Sequence, residues 1–381
     1  MMLILLILYC LFLNVTLSLK IRSSERFYLS HFPNKPHVEV PERVESIINR
    51  INLKGYKIDP IWERPDTLDL IKTVHHASYV EEIRELCAQG RKRISPFDED
   101  TYIDSSSFDT CILAQNAWIN CIDDVLGLDN DIKYNYSNDI ETIQAMKDLK
   151  EMTSFAISRP PGHHAVKGNS MGFCIFNYAV GAANYALSRG IKKIAMLDFD
   201  VHHGNGIASL ISHNSAIRYC SLHQMNIFPN GISSNEDWNG PIRNCLNIGI
   251  PAYATVDYYL QQLKEKALPF LNDPEFNAEL LIVSAGYDAL DSDPMANISL
   301  KPDDYGDIAR IIRASFKAGL PMVFGLEGGY NLKDLPVAVE KTIESLIECE
   351  RLDKNQLELV KQIQQNKNKN ENENKNEIEK K

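Results

Sequence analysis

The chain has 381 residues, 44% of them hydrophobic, and its 40 Lys and Arg against 51 Asp and Glu give a formal charge of −11. That composition excludes a disordered chain, a collagen and a multi-span membrane protein, and it fits a soluble fold with a sizeable core. The acidic balance argues against a partner held through net positive charge, so no direct nucleic-acid binding is expected.

Met1 to Leu19 is almost wholly apolar, broken by Asn14, Thr16 and Ser18, and is followed by Lys20, Arg22 and Arg26. It is short for a membrane span and lacks both a basic start and a small-x-small cleavage site. Residues 1–25 are read as a hydrophobic leader, with a retained anchor as the alternative. A leader points to the secretory pathway or an organelle rather than the nucleus, and membrane contact is expected through this segment alone. Asn14, Asn135 and Asn297 stand in glycosylation sequons, triplets that also arise by chance.

From Arg26 to Arg351 helical periodicity alternates with short apolar runs, which predicts a single α/β domain over 26–351. Val44, Ile47, Ile48 and Ile51 predict a helix after Pro41. A second is predicted over Phe108 to Val125, with Cys111, Ile112, Ala117, Trp118, Cys121 and Ile122 inward. Residues 128–152 are polar and read as a surface insertion. Further helices are predicted over Tyr178 to Ser188, Pro302 to Lys317 and Leu335 to Cys349, and Gly190 and Gly319 close the first two of these. Residues 352–381 are read as a polar, Asn/Lys/Glu-rich disordered tail, of which Asn366 to Lys381 has one apolar residue, Ile378, and cannot contribute to a core. The eight cysteines (10, 87, 111, 121, 174, 220, 245, 349) are scattered, which predicts reduced thiols and neither a disulfide framework nor a zinc ribbon.

Between the helices lie Phe155-Ala-Ile157, Ile194 to Leu197, Ile217 to Cys220, Leu280 to Val283 and Met322 to Phe324, runs suited to a largely parallel sheet flanked by helices. Their continuations are SRPPGHHA, DFDVHHGNG, SLHQ, SAGYD and GLEGGY. Loops at the carboxyl ends of such strands converge on one edge, so these predict one active site.

Asp200 and His202, at i and i+2 past a strand, point the same way, and Asp288 can supply a third ligand. Singly, each would read as a helix cap or a salt-bridge partner. Together they offer two carboxylates and one imidazole with an open fourth position, which suits catalytic zinc, with ferrous iron as the alternative. His163 and His164 follow the stiff turn Arg159-Pro-Pro-Gly162, where an imidazole beside a metal-activated water can act as general base. Tyr330, on the Gly328-Gly329 turn, is placed to donate a hydrogen bond to an oxyanion.

RPPGHHA, DFDVHHGNG, SAGYDAL with the following SDPM, and LEGGYN resemble the histone deacetylase family of metal-dependent amidohydrolases. That family includes bacterial acetoin-utilisation and acetylpolyamine amidohydrolase relatives, and the variants HHGNG and LEGGY are more similar to its class II and bacterial-type branch than to class I. The resemblance covers about Arg26 to Leu346 and implies the arginase/deacetylase-like fold. It implies Asp200, His202 and Asp288 as zinc ligands, His164 as general base, His163 as the second imidazole and Tyr330 as the oxyanion donor. Asp198 then stands behind His163, while Asn205, where class I members have Asp, is a neutral partner for His164. The resemblance also implies a structural potassium ion at Asp198, Asp200, His202, Ser221 and Leu222. Phe173 and Phe228 match the walls of a tunnel for an acetyl-lysine side chain, with Gly172 and Met295 beside them, Asp100 as a rim carboxylate and Arg43 as an internal arginine. The loop HQMNIFPNG is shorter than in relatives and lies at the tunnel mouth, so substrate preference does not carry over. In the related two-manganese arginases further Asp and His ligands are needed. Here Asn205 and Tyr287 stand where those would be sought, which favours one catalytic metal.

The expected reaction is hydrolysis of the N-acetyl-lysine amide of a protein, releasing acetate and free lysine. The alternatives are deacylation of a small amine such as an acetylpolyamine, and a catalytically weak module that binds acylated lysine. The expected partner is an acetylated lysine or an acetylated amine, and the oligomeric state is left open.

Overall fold

The apolar runs of the sequence become strands of one eight-stranded sheet in the computed structural model, which describes residues 19–94, 100–128, 152–229 and 237–352. The predicted leader up to residue 18, nearly all of the predicted insertion and the tail from residue 353 lie outside the described residues. In chain order the strands are β1 (Lys20–Arg22), β2 (Thr153–Ala156), β3 (Ile194–Asp198), β4 (Ile217–Gln224), β5 (Asp237–Asn239), β6 (Cys245–Ile250), β7 (Leu280–Ala285) and β8 (Met322–Leu326). Their spatial order is β1-β2-β8-β7-β3-β4-β6-β5. All pairs are parallel except the edge pair β5 and β6.

Every residue of β2, β3, β6, β7 and β8 is buried, as expected of strands covered by helices on both faces. The helices are α1 (Glu42–Leu53), α2 (Thr67–Val74), α3 (Ala77–Ala88), α4 (Ser107–Leu126), α5 (Tyr178–Ser188), α6 (Asn205–Ile211), α7 (Val256–Gln262), α8 (Leu268–Leu271), α9 (Pro302–Ser315) and α10 (residues 335–352). A π-helical turn, Leu263–Ala267, joins α7 to α8. Helix α5 has its predicted bounds because Asn177 caps it, the side chain accepting from the Val180 N–H at 3.2 Å. Helix α4 lies on β1, β2 and β8, and its Trp118 ring occupies the space that a Cβ on Gly325 would need, 1.9 Å away. Only glycine at that point of β8 lets the helix approach so closely.

The fold starts earlier than Arg26. Strand β1 pairs with β2, Leu19 and Ile21 are core residues, and the Arg22 guanidinium meets the Asp124 carboxylate, with Nε 2.9 Å from Oδ2. Lys-Ile-Arg read alone resembles the basic flank of a leader, and only the half-buried Asp124 on α4 reveals its place. Strand β6 was also missed, because Asn247 and Gly249 interrupt the apolar pattern of Cys245–Ile250.

The sheet places the chemistry. One row of register crosses Ala156, Gly325, Ser284, Asp198, Ser221 and Asn247, near the carboxyl ends of six parallel strands. The loops beyond that row are those predicted to meet.

Candidate active site

Asp200, His202 and Asp288 are all buried, and their ligand atoms lie within 4.8 Å of one another. His202 Nδ1 is 3.1 Å from Asp200 Oδ1 and 3.0 Å from Asp288 Oδ2. The remaining carboxylate oxygens are turned away by backbone donors. Gly328 N–H donates to Asp200 Oδ2 at 2.8 Å, and Val201 N–H donates to Asp288 Oδ1 at 2.8 Å. One nitrogen and two oxygens therefore converge on a point. Ligands about 2.0–2.1 Å from a tetrahedral zinc are about 3.3 Å apart, so the donor set needs only a small adjustment to hold one.

The electrostatics agree with a cation there. Against burial, the Asp288 and Asp200 carboxylates lift the His202 imidazole to about 10. Asp200 stays ionised, because against burial the charges of His163 and His202 hold it low, whereas burial and then the Asp200 charge push Asp288 up. Two buried carboxylates with one imidazole between them call for positive charge, which a divalent metal supplies. A Cβ on Gly328 would stand 2.3 Å from Asp288 Oδ2 and 2.6 Å from Asp200 Oδ2, so the turn must be glycine for the loops after β3, β7 and β8 to close together.

His163 and His164 lie side by side, ring centroids 3.9 Å apart, with different partners. His163 Nδ1 is 3.1 Å from Asp198 Oδ2, which also accepts from the Tyr219 hydroxyl at 2.8 Å. Burial opposes a charge on His163, but Asp200 and Asp198 outweigh it and raise its pKa to about 10. His164 Nδ1 is 2.7 Å from Asn205 Oδ1 at the start of α6. Burial, and then the charges of His163 and His202, hold His164 well below the ordinary imidazole range. The pair thus splits into a charged and a neutral ring.

His164 and His202 face a cavity of about 370 Å³. His164, His202 and Tyr330 are its most buried lining residues, while Phe228 is 40% exposed and Asp100 is exposed at the mouth. Phe228 stands edge-on to His164 at 4.9 Å and Phe173 edge-on to Tyr330 at 5.6 Å, giving two aromatic walls. Gly172 and Met295 complete the lining of interest. Arg43 is buried, with its guanidinium 4.7 Å from the Tyr330 ring centroid, and it donates to the carbonyls of Gly329 (2.6 Å) and Glu327 (2.5 Å). Ser221 follows Asp198 across the β3–β4 register, with Leu222 buried beside it, and its Oγ is 2.9 Å from His223 Nδ1. The residues expected to bind metal, act on protons and line the tunnel thus lie around one sheet edge. Residues 230–236 of the region after HQMNIFPNG's start lie outside the described residues.

Three buried acids were not singled out. Glu327 Oε2 accepts the N–H groups of Gly162 (2.7 Å) and His163 (3.1 Å), and Oε1 accepts from Ser284 Oγ (3.1 Å), so it fixes the backbone of the histidine turn. Burial lifts its carboxyl to about 7. Asp293 Oδ2 accepts the Tyr330 N–H at 2.6 Å. Glu39 joins Arg159 and Arg43, its Oε1 2.8 Å from Arg159 Nε and 3.1 Å from Arg43 Nη1. Glu327 lies in the LEGGYN motif at the end of the apolar run of β8 and Asp293 in SDPM, signals that marked the place of each residue without its role. Glu39 sits in a polar context that gave none.

Residues 37–346 match the family described as the histone deacetylase domain. A Synechocystis protein, slr0245, is 35% identical over 84% of this chain and 97% of its own length. Histone deacetylase 10, chloroplastic, of Oryza sativa subsp. japonica is 29% identical over 82% of this chain and 70% of its own. The histone deacetylase-like amidohydrolase of Pseudomonas aeruginosa is 28% identical over 81% and 77%. Among solved structures, the HDA15 HD domain superimposes with a TM-score of 0.73 at 27% identity, covering 87% of this chain and 90% of that one. With the motifs gathered at one sheet edge and the match spanning nearly the whole described sheet, this chain belongs to the histone deacetylase family.

Proposed function

We infer that the protein hydrolyses the Nε-acetyl amide of lysine in proteins or peptides, releasing acetate and free lysine. The observation that carries this reading is the cavity itself: apolar aromatic walls lead to a base where three metal donors, a neutral histidine and a tyrosine meet. An acetyl-lysine side chain has the matching shape, an uncharged apolar stem ending in an amide.

Asp200, His202 and Asp288 would hold zinc, with ferrous iron as the alternative, and the bound metal would polarise the amide carbonyl and acidify the attacking water. His164 works as the base. Its Nδ1 carries the proton given to Asn205 Oδ1, which leaves the Nε2 lone pair to take the proton of water and pass it to the departing amine. His163, charged and braced by Asp198, offsets negative charge gathering beside it. Burial keeps the Tyr330 hydroxyl protonated by pushing its pKa well above the usual range, so it can donate to the oxyanion. Asp100 would hold the substrate backbone at the rim. The same reading carries a structural potassium ion at Asp198, Asp200, His202, Ser221 and Leu222, and an N-terminal leader directing the chain to the secretory pathway or an organelle.

Comparison of kcat/KM for an acetyl-lysine peptide with that for acetylputrescine and acetylspermidine tests the substrate. The reading requires the peptide to be preferred. A large excess for the acetylpolyamines would instead assign a small-amine amidohydrolase, and peptide binding with no turnover by metal-loaded protein would assign a binding module.

A further inference from the structure

We propose that His37, outside the reacting groups, is a positioning residue that sets the rim of the substrate tunnel and so governs how the peptide around the acyl-lysine is held. This rests on the acetyl-lysine reading above. The ring lies between the buried interior and the cavity mouth. Its Nδ1 accepts the Glu39 N–H at 3.0 Å, which leaves the proton on Nε2 to be donated to the Asp100 carbonyl at 2.9 Å. Few side chains offer an acceptor at one end and a donor at the other across that span. The ring edge also packs on the wall residue Phe173, centroids 4.7 Å apart, and on Tyr102 at 5.0 Å.

The segment held is short and fixed at successive residues. The Asp100 carbonyl is taken by His37, Thr101 Oγ1 accepts the Phe173 N–H at 3.2 Å, and the Tyr102 hydroxyl donates to Glu39 Oε2 at 2.7 Å. Phe173 needs such support. Its φ of +69° is in the left-handed region, which is unfavourable for a non-glycine residue. Glu39 in turn anchors Arg43 against Tyr330, so His37 ties the exposed Asp100 to the same frame that carries the base of the cavity. If Asp100 holds a peptide backbone, the His37 bond decides where that carboxylate stands.

Three variants separate this role from simple packing. His37→Phe keeps the ring against Phe173 and loses the bond to Asp100, His37→Gln keeps a donor that can reach Asp100, and His37→Ala loses both contacts. For His37→Phe the expected result is KM for an acetyl-lysine peptide about tenfold higher, with kcat within about threefold of wild type. Turnover of capped single-residue acetyl-lysine, which does not reach the rim, changes less than about threefold. His37→Gln restores the peptide KM to within about threefold, and His37→Ala impairs both substrates. Unchanged peptide KM in His37→Phe, or equal loss on both substrates without rescue by His37→Gln, would overturn the inference. Should the wild type turn over no acetyl-lysine substrate, the functional reading fails by itself. Peptide affinity by fluorescence anisotropy then decides the His37 role on the same ladder, and equal affinities across the variants would overturn it.

Discussion

Asn205 offers the sharpest test of the acid-base assignment, because Asn205→Asp adds one charge at a defined place and little else. The Oδ1 atom lies 2.7 Å from His164 Nδ1. In the native chain burial, followed by the charges of His163 and His202, depresses the His164 pKa, so the ring stays neutral and competent as a base down into the acid range. A carboxylate at Asn205 favours the imidazolium. At an effective dielectric of about 20, unit charges about 3 Å apart interact by ~5 kcal/mol. The cost of burying the new charge reduces that, and close pairs of this kind shift a pKa by about 1–3 units, or ~1.4–4 kcal/mol. The base must be neutral, so activity is lost as pH falls through its pKa, and raising that pKa moves the acid limb upward by the same amount. The position begins α6, where an acid is tolerated by the helix dipole, so folding is retained. The assay is acetate release from an acetyl-lysine peptide by metal-loaded enzyme, with kcat/KM followed from about pH 5 to about 9. An acid limb that stays in place, or moves to lower pH, would refute the role given to His164.

Three further outcomes follow from the same structure. Tyr330→Phe keeps the ring against Phe173 and removes only the hydroxyl, so kcat is expected to fall ~10²–10³-fold with KM little changed, and an equal rise in KM would show a binding role instead. His75 is buried and neutral, Nδ1 donating to the Val166 carbonyl (3.0 Å) and Nε2 accepting the Asn177 N–H (2.9 Å), and burial lowers its pKa to about 4. Between the unfolded value near 6.5 and about 4 the unfolded chain binds a proton that the folded one refuses, so stability rises with pH by ~1.4 kcal/mol per unit in that window. Urea unfolding of His75→Gln would show that slope reduced by about one proton, and an unchanged slope would contradict it. Protein starting at Arg26 loses the buried Leu19 and Ile21 and leaves Asp124 without Arg22, a cost of ~3–6 kcal/mol from the two apolar side chains alone. Compared with protein starting at Leu19, its Tm is expected to drop by several degrees, and equal Tm values would place β1 outside the cooperative fold.

What could be read from the sequence depended on whether a residue's partners are near it in the chain. The motif loops were legible because a polar cluster after a buried apolar run has few other uses: His164, His202 and Tyr330 line one cavity, Asp200 and Asp288 sit with His202, and His163 Nε2 lies 3.7 Å from Asp200 Oδ1. Helix α5 was legible through its closing glycine, Gly190, while its cap, Asn177, emerged only in the structure. Strand β1 was not, since its reason lies in an ion pair with Asp124 on a helix about a hundred residues away. Strand β6 hides behind Asn247 and Gly249, and α2 and α3 were not distinguished from the polar chain around them. The supporting acids were the least visible. Glu327, Glu39 and Asp293 act by accepting backbone or guanidinium donors brought from distant segments, a role that local patterning does not record.

A single metal at Asp200, His202 and Asp288 is proposed to make this cavity an acetyl-lysine amidohydrolase. The most direct measurement is acetate release from an acetyl-lysine peptide by protein stripped with a chelator and then titrated with zinc or ferrous iron, with bound metal read on the same samples. The account predicts no turnover without metal and activity rising to a plateau at about one ion per chain. It also predicts that Asp288→Ala neither retains the ion nor recovers. Full activity in metal-free protein, or a folded protein that takes up one ion and hydrolyses no acetyl-lysine peptide, would contradict it.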